Sequence, residues 1–220
     1  LSEATARLGT DVAAALCFMH AICRRIGVML PERIWRPILD DALIRARIGH
    51  MVGSRSSFGR GRAMLAGFAG RSGLAIQIAS GDLDQARKIL EALAQGLDIN
   101  QAGLFIYGCE PLQVAALALT ASGCSREAAF GTASYTTKGD GIVPGSEEYS
   151  WLAAFSICEG LRMNDLTRVE PAHWAALSYG PSDRDELIKE IKLMQRKGHS
   201  LEWISWPQQA MERVGPASSN

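Results

Sequence analysis

The sequence predicts an all-α fold, and three observations carry that prediction. Apolar residues recur at spacings of three and four in one segment after another, as in Leu8, Val12, Leu16, Met19, Ile22 and Ile26. No segment alternates apolar and polar residues as a half-buried strand would. The joints between periodic segments carry helix-start and helix-stop residues: Asp82 three before Gln85, Ser125 ahead of Glu127, and Gly96, Gly108 and Gly123 as terminators.

Composition narrows the function classes. Of 220 residues, 47% are hydrophobic and 21% charged, ordinary for a globular chain. Lys plus Arg (23) balances Asp plus Glu (23), so the net charge is zero and a general nucleic-acid-binding surface is not expected. No uninterrupted apolar run reaches the length of a membrane span. The chain starts at Leu1 without a signal-peptide pattern, and is expected to be a fragment or a processed product. Cys17, Cys23, Cys109, Cys124 and Cys158 are odd in number, include no CxxC, and sit among apolar neighbours. They are expected to be reduced and buried, in a cytoplasmic protein.

Taken in order, residues 1–27 read as a helix broken at Gly9, with Thr10 or Asp11 as a cap for its second part. Cys17, His20 and Cys23 on it are metal-ligating types. Their positions drift around the helix and no fourth ligand pair accompanies them, so no metal is expected. After Pro31 a helix over 32–52 turns Ile34, Ile38, Leu39, Ala42, Ala46 and Ile48 inward, with Pro37 early in it. Asp40, Asp41, Arg45 and Arg47 on that helix read as a solvated face, Asp41 and Arg45 pairing at i, i+4. Residues 53–62 are glycine-rich and basic; they lack the lysine and hydroxyl of a P-loop and follow no strand, so they read as a flexible surface connection.

The helix expected over 61–79 organises the rest. Its segment 63–78 has no acidic residue and no histidine, and Gly67, Gly70 and Gly73 recur every third residue. That spacing predicts a glycine-lined face where another backbone approaches. Each glycine weakens a helix by roughly 0.5–1 kcal/mol against alanine, so tertiary structure must offset the loss. Helices follow over 83–95, 98–107, from Pro111 to Gly123, and from Ser125 to Tyr135. Residues 136–146 are a loop; 147–163 form a mostly buried helix; the stretch to Pro181 is looser; a last amphipathic helix covers 183–197, and a frayed end carries Trp203 and Trp206.

Several segments, in order, resemble the signatures of a known family. Ile34-Trp35-Arg36-Pro37-Ile38-Leu39 is similar to a tryptophan-arginine-histidine-serine helix start. Leu65 to Gly73 is similar to a leucine-x-glycine-leucine-leucine-histidine-aspartate-isoleucine-glycine segment. Tyr107 to Ala116 is similar to a glycine-x-aspartate-histidine-alanine-glutamate-valine-glycine-alanine helix, Thr120 to Ala129 to the turn that follows it, and Leu152 to Leu161 to a closing helix. The run from Leu65 to about Arg162 thus resembles an HDOD domain, a regulatory branch of the HD-domain phosphohydrolase superfamily. The resemblance implies an HD-like helical bundle over 28–165 with an extra C-terminal helical segment over 166–220. It also implies that 1–27 is a linking helix from an N-terminal lobe missing from this chain.

The departures bear on chemistry. HD phosphohydrolases hold divalent metals with histidines and carboxylates. Here the first histidine position is Pro37, the histidine–aspartate doublet is Gly70-Arg71, the next histidine is Pro111, and only Glu159 keeps a carboxylate. Arg71 would put a fixed positive charge where a metal belongs. The expectation is therefore a non-catalytic bacterial signalling module acting through protein partners, with no metal and no cofactor. Arg71, Arg60, Arg62 and Glu159 are its candidate ligand-binding residues, and a cyclic dinucleotide the candidate small ligand. A competing reading is a phosphohydrolase with an altered site built from Asp40, Asp41, Arg45, Arg71 and Glu159. Another is nucleotide or nucleic-acid binding through Arg55, Arg60, Arg62 and Arg71, whose guanidiniums suit phosphate.

Overall fold

A computed structural model of the chain describes residues 9–29 and 32–196. Ten α-helices make up the described residues, with no strand among them: α1 (Thr10–Met29), α2 (Glu32–Gly53), α3 (Arg60–Ser80), α4 (Leu83–Ala94), α5 (Ile99–Tyr107), α6 (Pro111–Ala121), α7 (Arg126–Ala133), α8 (Glu147–Met163), α9 (Pro171–Ala176) and α10 (Pro181–Arg196). A 3-10 turn, Leu166–Arg168, joins α8 to α9. The helix expected over 1–8, the connection at Pro31 and the chain from 197 on, with Trp203 and Trp206, lie outside the described residues.

Helix α3 is the axis of the molecule. Seventeen of its 21 residues are buried, because α1, α2, α6 and α8 pack around it. Its three glycines do not form a single face toward one backbone. An α-helix turns 100° per residue, so every third position steps back by about 60° and the three point to different neighbours. A Cβ on Gly67 would overlap the carbonyl of Arg45 on α2, and one on Gly73 the carbonyl of Pro111 at the start of α6. Gly70, between them, meets only side chains, with 3.6 Å from a Cβ to Arg45 Cδ and to the Phe155 ring of α8.

The start of α3 is held from outside the helix. Gly59 at its N-cap, with φ of 96°, offers no side chain, and Asp11 of α1 accepts the Gly61 N–H at 2.9 Å instead. Asp11 was expected to cap its own helix; it caps another, fifty residues on in the chain. Elsewhere local rules hold. Asp82 and Gln85 form the capping box of α4, Asp98 accepts from Asn100 and Gln101 at the head of α5, Pro111 opens α6, and Ser125 and Ser146 cap α7 and α8.

Other expectations shift. Leu16 is exposed and Ala15 takes the inward position. The connection 54–59 is anchored rather than flexible: Phe58 is buried edge-on to Trp151 at 5.1 Å, and Arg55 reaches Glu190 of α10 at 2.8 Å. The looser stretch contains α9, whose Trp174 packs edge-on against Tyr179 at 5.4 Å; the Tyr179 hydroxyl donates to the Val52 carbonyl at 2.6 Å. Only Cys158 is buried among the cysteines; Cys17 is exposed and the other three are half-buried, all as free thiols. One apolar cluster runs without a break from Val12 and Met19 of α1, through α2, α3 and α8, to Leu187, Ile191 and Met194 of α10.

Candidate functional site

Three helices bring charged side chains together inside this core. Helix α2 supplies Asp41 and Arg45, α3 supplies Arg71, and α8 supplies Glu159 and Arg162. Arg45 is 1% and Asp41 2% exposed, so their expected place on a solvated face is overturned. The two lie on the buried stripe of α2, and its charges are accepted in the core because partners meet them there. The Arg45 guanidinium donates through Nε to Asp41 Oδ2 at 2.8 Å and through Nη1 to Glu159 Oε2. Arg71 lies 3.1 Å from Asp41 Oδ2 and 3.5 Å from Glu159 Oε1. Two guanidiniums thus bridge two carboxylates in a closed ring. Arg162 joins from outside it, donating to Asp41 Oδ1 at 2.6 Å.

The electrostatics follow from the geometry. Burial pushes the Asp41 carboxyl up, but Arg45, Arg71 and Arg162 more than offset that and hold it at about 2. Glu159, also raised by burial, is brought below its ordinary value by Arg45 and Arg71. Burial and the neighbouring Arg45 lower Arg71, while Glu159 and Asp41 support its charge. Three guanidiniums face two carboxylates, which leaves one surplus positive charge. Cys158 alongside is pushed up to about 12 by burial and stays a thiol.

Arg71 and Glu159 of the ring help to line a cleft of about 320 Å³, together with Asp98, Tyr135, Phe155 and Arg168. Burial raises the Tyr135 hydroxyl pKa, and Glu159 adds to the rise. The cleft therefore presents a neutral phenol among two cations, Arg71 and Arg168, and two carboxylates, Asp98 and Glu159. Such a surface suits a guest that both donates and accepts hydrogen bonds. It is poorly suited to metal chemistry, since guanidiniums already hold the oxygens of both ring carboxylates and would repel a cation. Among the described residues no group of three or more His, Cys, Asp or Glu is placed to hold a metal ion.

The remaining candidates lie elsewhere. Asp40 is exposed beside Asp41 and pairs with Arg36 at 3.8 Å. Arg60 is exposed at the head of α3, and Arg62 there pairs with Glu147 at 3.2 Å and lies over the Phe58 ring. At 1.5 Å rise per residue, about 14 Å of helix separates Arg62 from Arg71, so the structure does not bring these arginines together. Arg55 is engaged with α10. Sequence reasoning missed Arg162, Arg168 and, at the head of α5, Asp98 and Asn100 at the cleft. Arg162 had a signal: it follows Phe155 and Cys158 at helical spacing, on a buried face.

Comparison with known proteins finds no matching family, no matching characterised protein and no matching solved structure. No single helix among the described residues is long and apolar enough to cross a membrane.

Proposed function

We propose that this chain is a non-catalytic, cytoplasmic regulatory module of the HDOD kind, acting in bacterial signalling through protein contacts. One observation carries the reading: the position where a related hydrolase would hold its metal doublet is Gly70-Arg71, and Arg71 sits inside a buried ion ring that occupies both nearby carboxylates. Exposed apolar side chains on α5 and on α6 support the partner role. Phe105 is 86% and Leu117 70% exposed there. Binding of a specific protein by the wild type and its loss in Phe105→Glu, at unchanged melting temperature, is the expected result. Stoichiometric manganese binding together with metal-dependent phosphodiester hydrolysis that Glu159→Gln abolishes would overturn it. Two arginines on the lining of the cleft, Arg71 and Arg168, favour a second reading, a cyclic dinucleotide held there. That reading predicts saturable binding weakened in Arg168→Ala, whose side chain is exposed.

A further inference from the structure

A second cleft, of about 560 Å³, lies between α5, α8, the turn at Tyr135–Lys138 and the segment from Thr167 to His173. It borders the first, sharing Asp98, Asn100, Tyr135 and Arg168 with it. Its size is that of an ordinary small-molecule site. Two side chains on its wall are more than nine-tenths buried and have no hydrogen-bond partner: Ser156, through Oγ, and His173, through Nδ1. Half-buried Asn100 adds a third such atom, Oδ1. Buried polar atoms are normally paired. Ser156 is the pointed case, because a helical hydroxyl ordinarily donates to the carbonyl four residues back. Ser134, Ser150 and Thr120 do so in this chain, at 2.8, 3.2 and 3.1 Å, and Ser156 does not.

The lining selects the guest's chemistry. Lys138 and Arg168 face the cleft together with Asp98, Glu110 and Glu170. An ion of either sign would therefore meet its own sign, whereas a hydroxyl donates to carboxylates and accepts from the cations. Burial lowers the His173 pKa, so its imidazole is neutral and has one nitrogen to donate and one to accept. Tyr135 supplies an aromatic flank.

We propose that this cleft binds an uncharged, hydroxyl-rich small molecule of sugar size, held by Ser156, His173 and Asn100. The proposal stands apart from the regulatory reading of the ion ring, since neither Arg71 nor Glu159 lines this cleft. Saturation-transfer NMR on the full chain tests it. The probes are a panel of neutral glycosides and polyols, with glucose 6-phosphate and glucosamine as anionic and cationic counterparts. At least one neutral member is expected to bind saturably and at least tenfold more tightly than either charged probe. Binding should weaken tenfold or more in both Ser156→Ala and Asn100→Ala. Ser156→Ala, which removes an unpaired buried hydroxyl, should melt at or above the wild-type temperature. No saturable signal from any neutral probe, tighter binding of a charged one, or neutral binding untouched by both substitutions would each overturn the proposal.

Discussion

Asp40 and Asp41 are adjacent in sequence and opposite in consequence, which makes the pair a sharp test of the buried ring. Asp41→Asn removes a carboxylate that meets three guanidiniums. Its pKa of about 2 stands against an ordinary 3.8, a depression equivalent to about 2.5 kcal/mol of folding stability. The substitution also takes a carboxylate partner from three largely buried guanidiniums, and breaking a buried ion network typically costs about 3–5 kcal/mol. The expected loss at pH 7 is therefore about 3–5 kcal/mol. Asp40→Asn disturbs an exposed pair with Arg36 and should cost less than about 1 kcal/mol. The sign with pH is fixed. The folded value lies below the unfolded one, so the contribution of Asp41 is complete above the ordinary value and drains away as pH falls toward about 2. By pH 3 its charge-dependent part shrinks to roughly half. Urea unfolding followed by circular dichroism at pH 7, 5 and 3 measures each step. Equal costs for the two substitutions, or an Asp41→Asn penalty that does not change with pH, would refute the reasoning.

Two further outcomes follow from the packing. Gly67→Ala and Gly73→Ala force a methyl group into the backbones of α2 and α6 and should each destabilise by about 1–3 kcal/mol. Gly70→Ala has room and gains helix propensity, so thermal melts should show it neutral or up to about 1 kcal/mol more stable. Cys17, exposed, should react with a thiol reagent in the folded protein, while Cys158, buried and raised to about 12, should react only on unfolding; timed alkylation with mass spectrometry reads both.

The helices were legible in the sequence because local rules write them: the Asp82 box, the Ser125 cap and the spacing of Ile34, Ile38, Ala42 and Ile48 are all short-range signals. The ring was half legible. Asp41 and Arg45 fall on the same alternating three-and-four spacing as Ile34, Ile38, Ile48 and Val52, so period placed them inward while residue type argued outward. Position on the stripe decided the matter, because partners waited on other helices. No local signal reaches those partners: Glu159 lies 114 residues from Arg45, and Arg162 lies 121 from Asp41, and only the family resemblance groups Glu159 with Asp41, Arg45 and Arg71. The clefts were equally hidden, being formed where α5 and the Tyr135 turn come to lie beside α8. Asp11 shows the same limit, since its type was read correctly and its partner was not.

Helix α3 has one more consequence. Its glycines make it a poor helix on its own, and nucleating any helix in water is unfavourable. Its first turn borrows a cap from α1, its middle touches α2 and α8, and its far half rests on α6. Ordering of the central element is thus a collective property of the elements around it. Loosening any one of them withdraws support from all the others through α3, so the bundle should come apart as one cooperative unit rather than helix by helix.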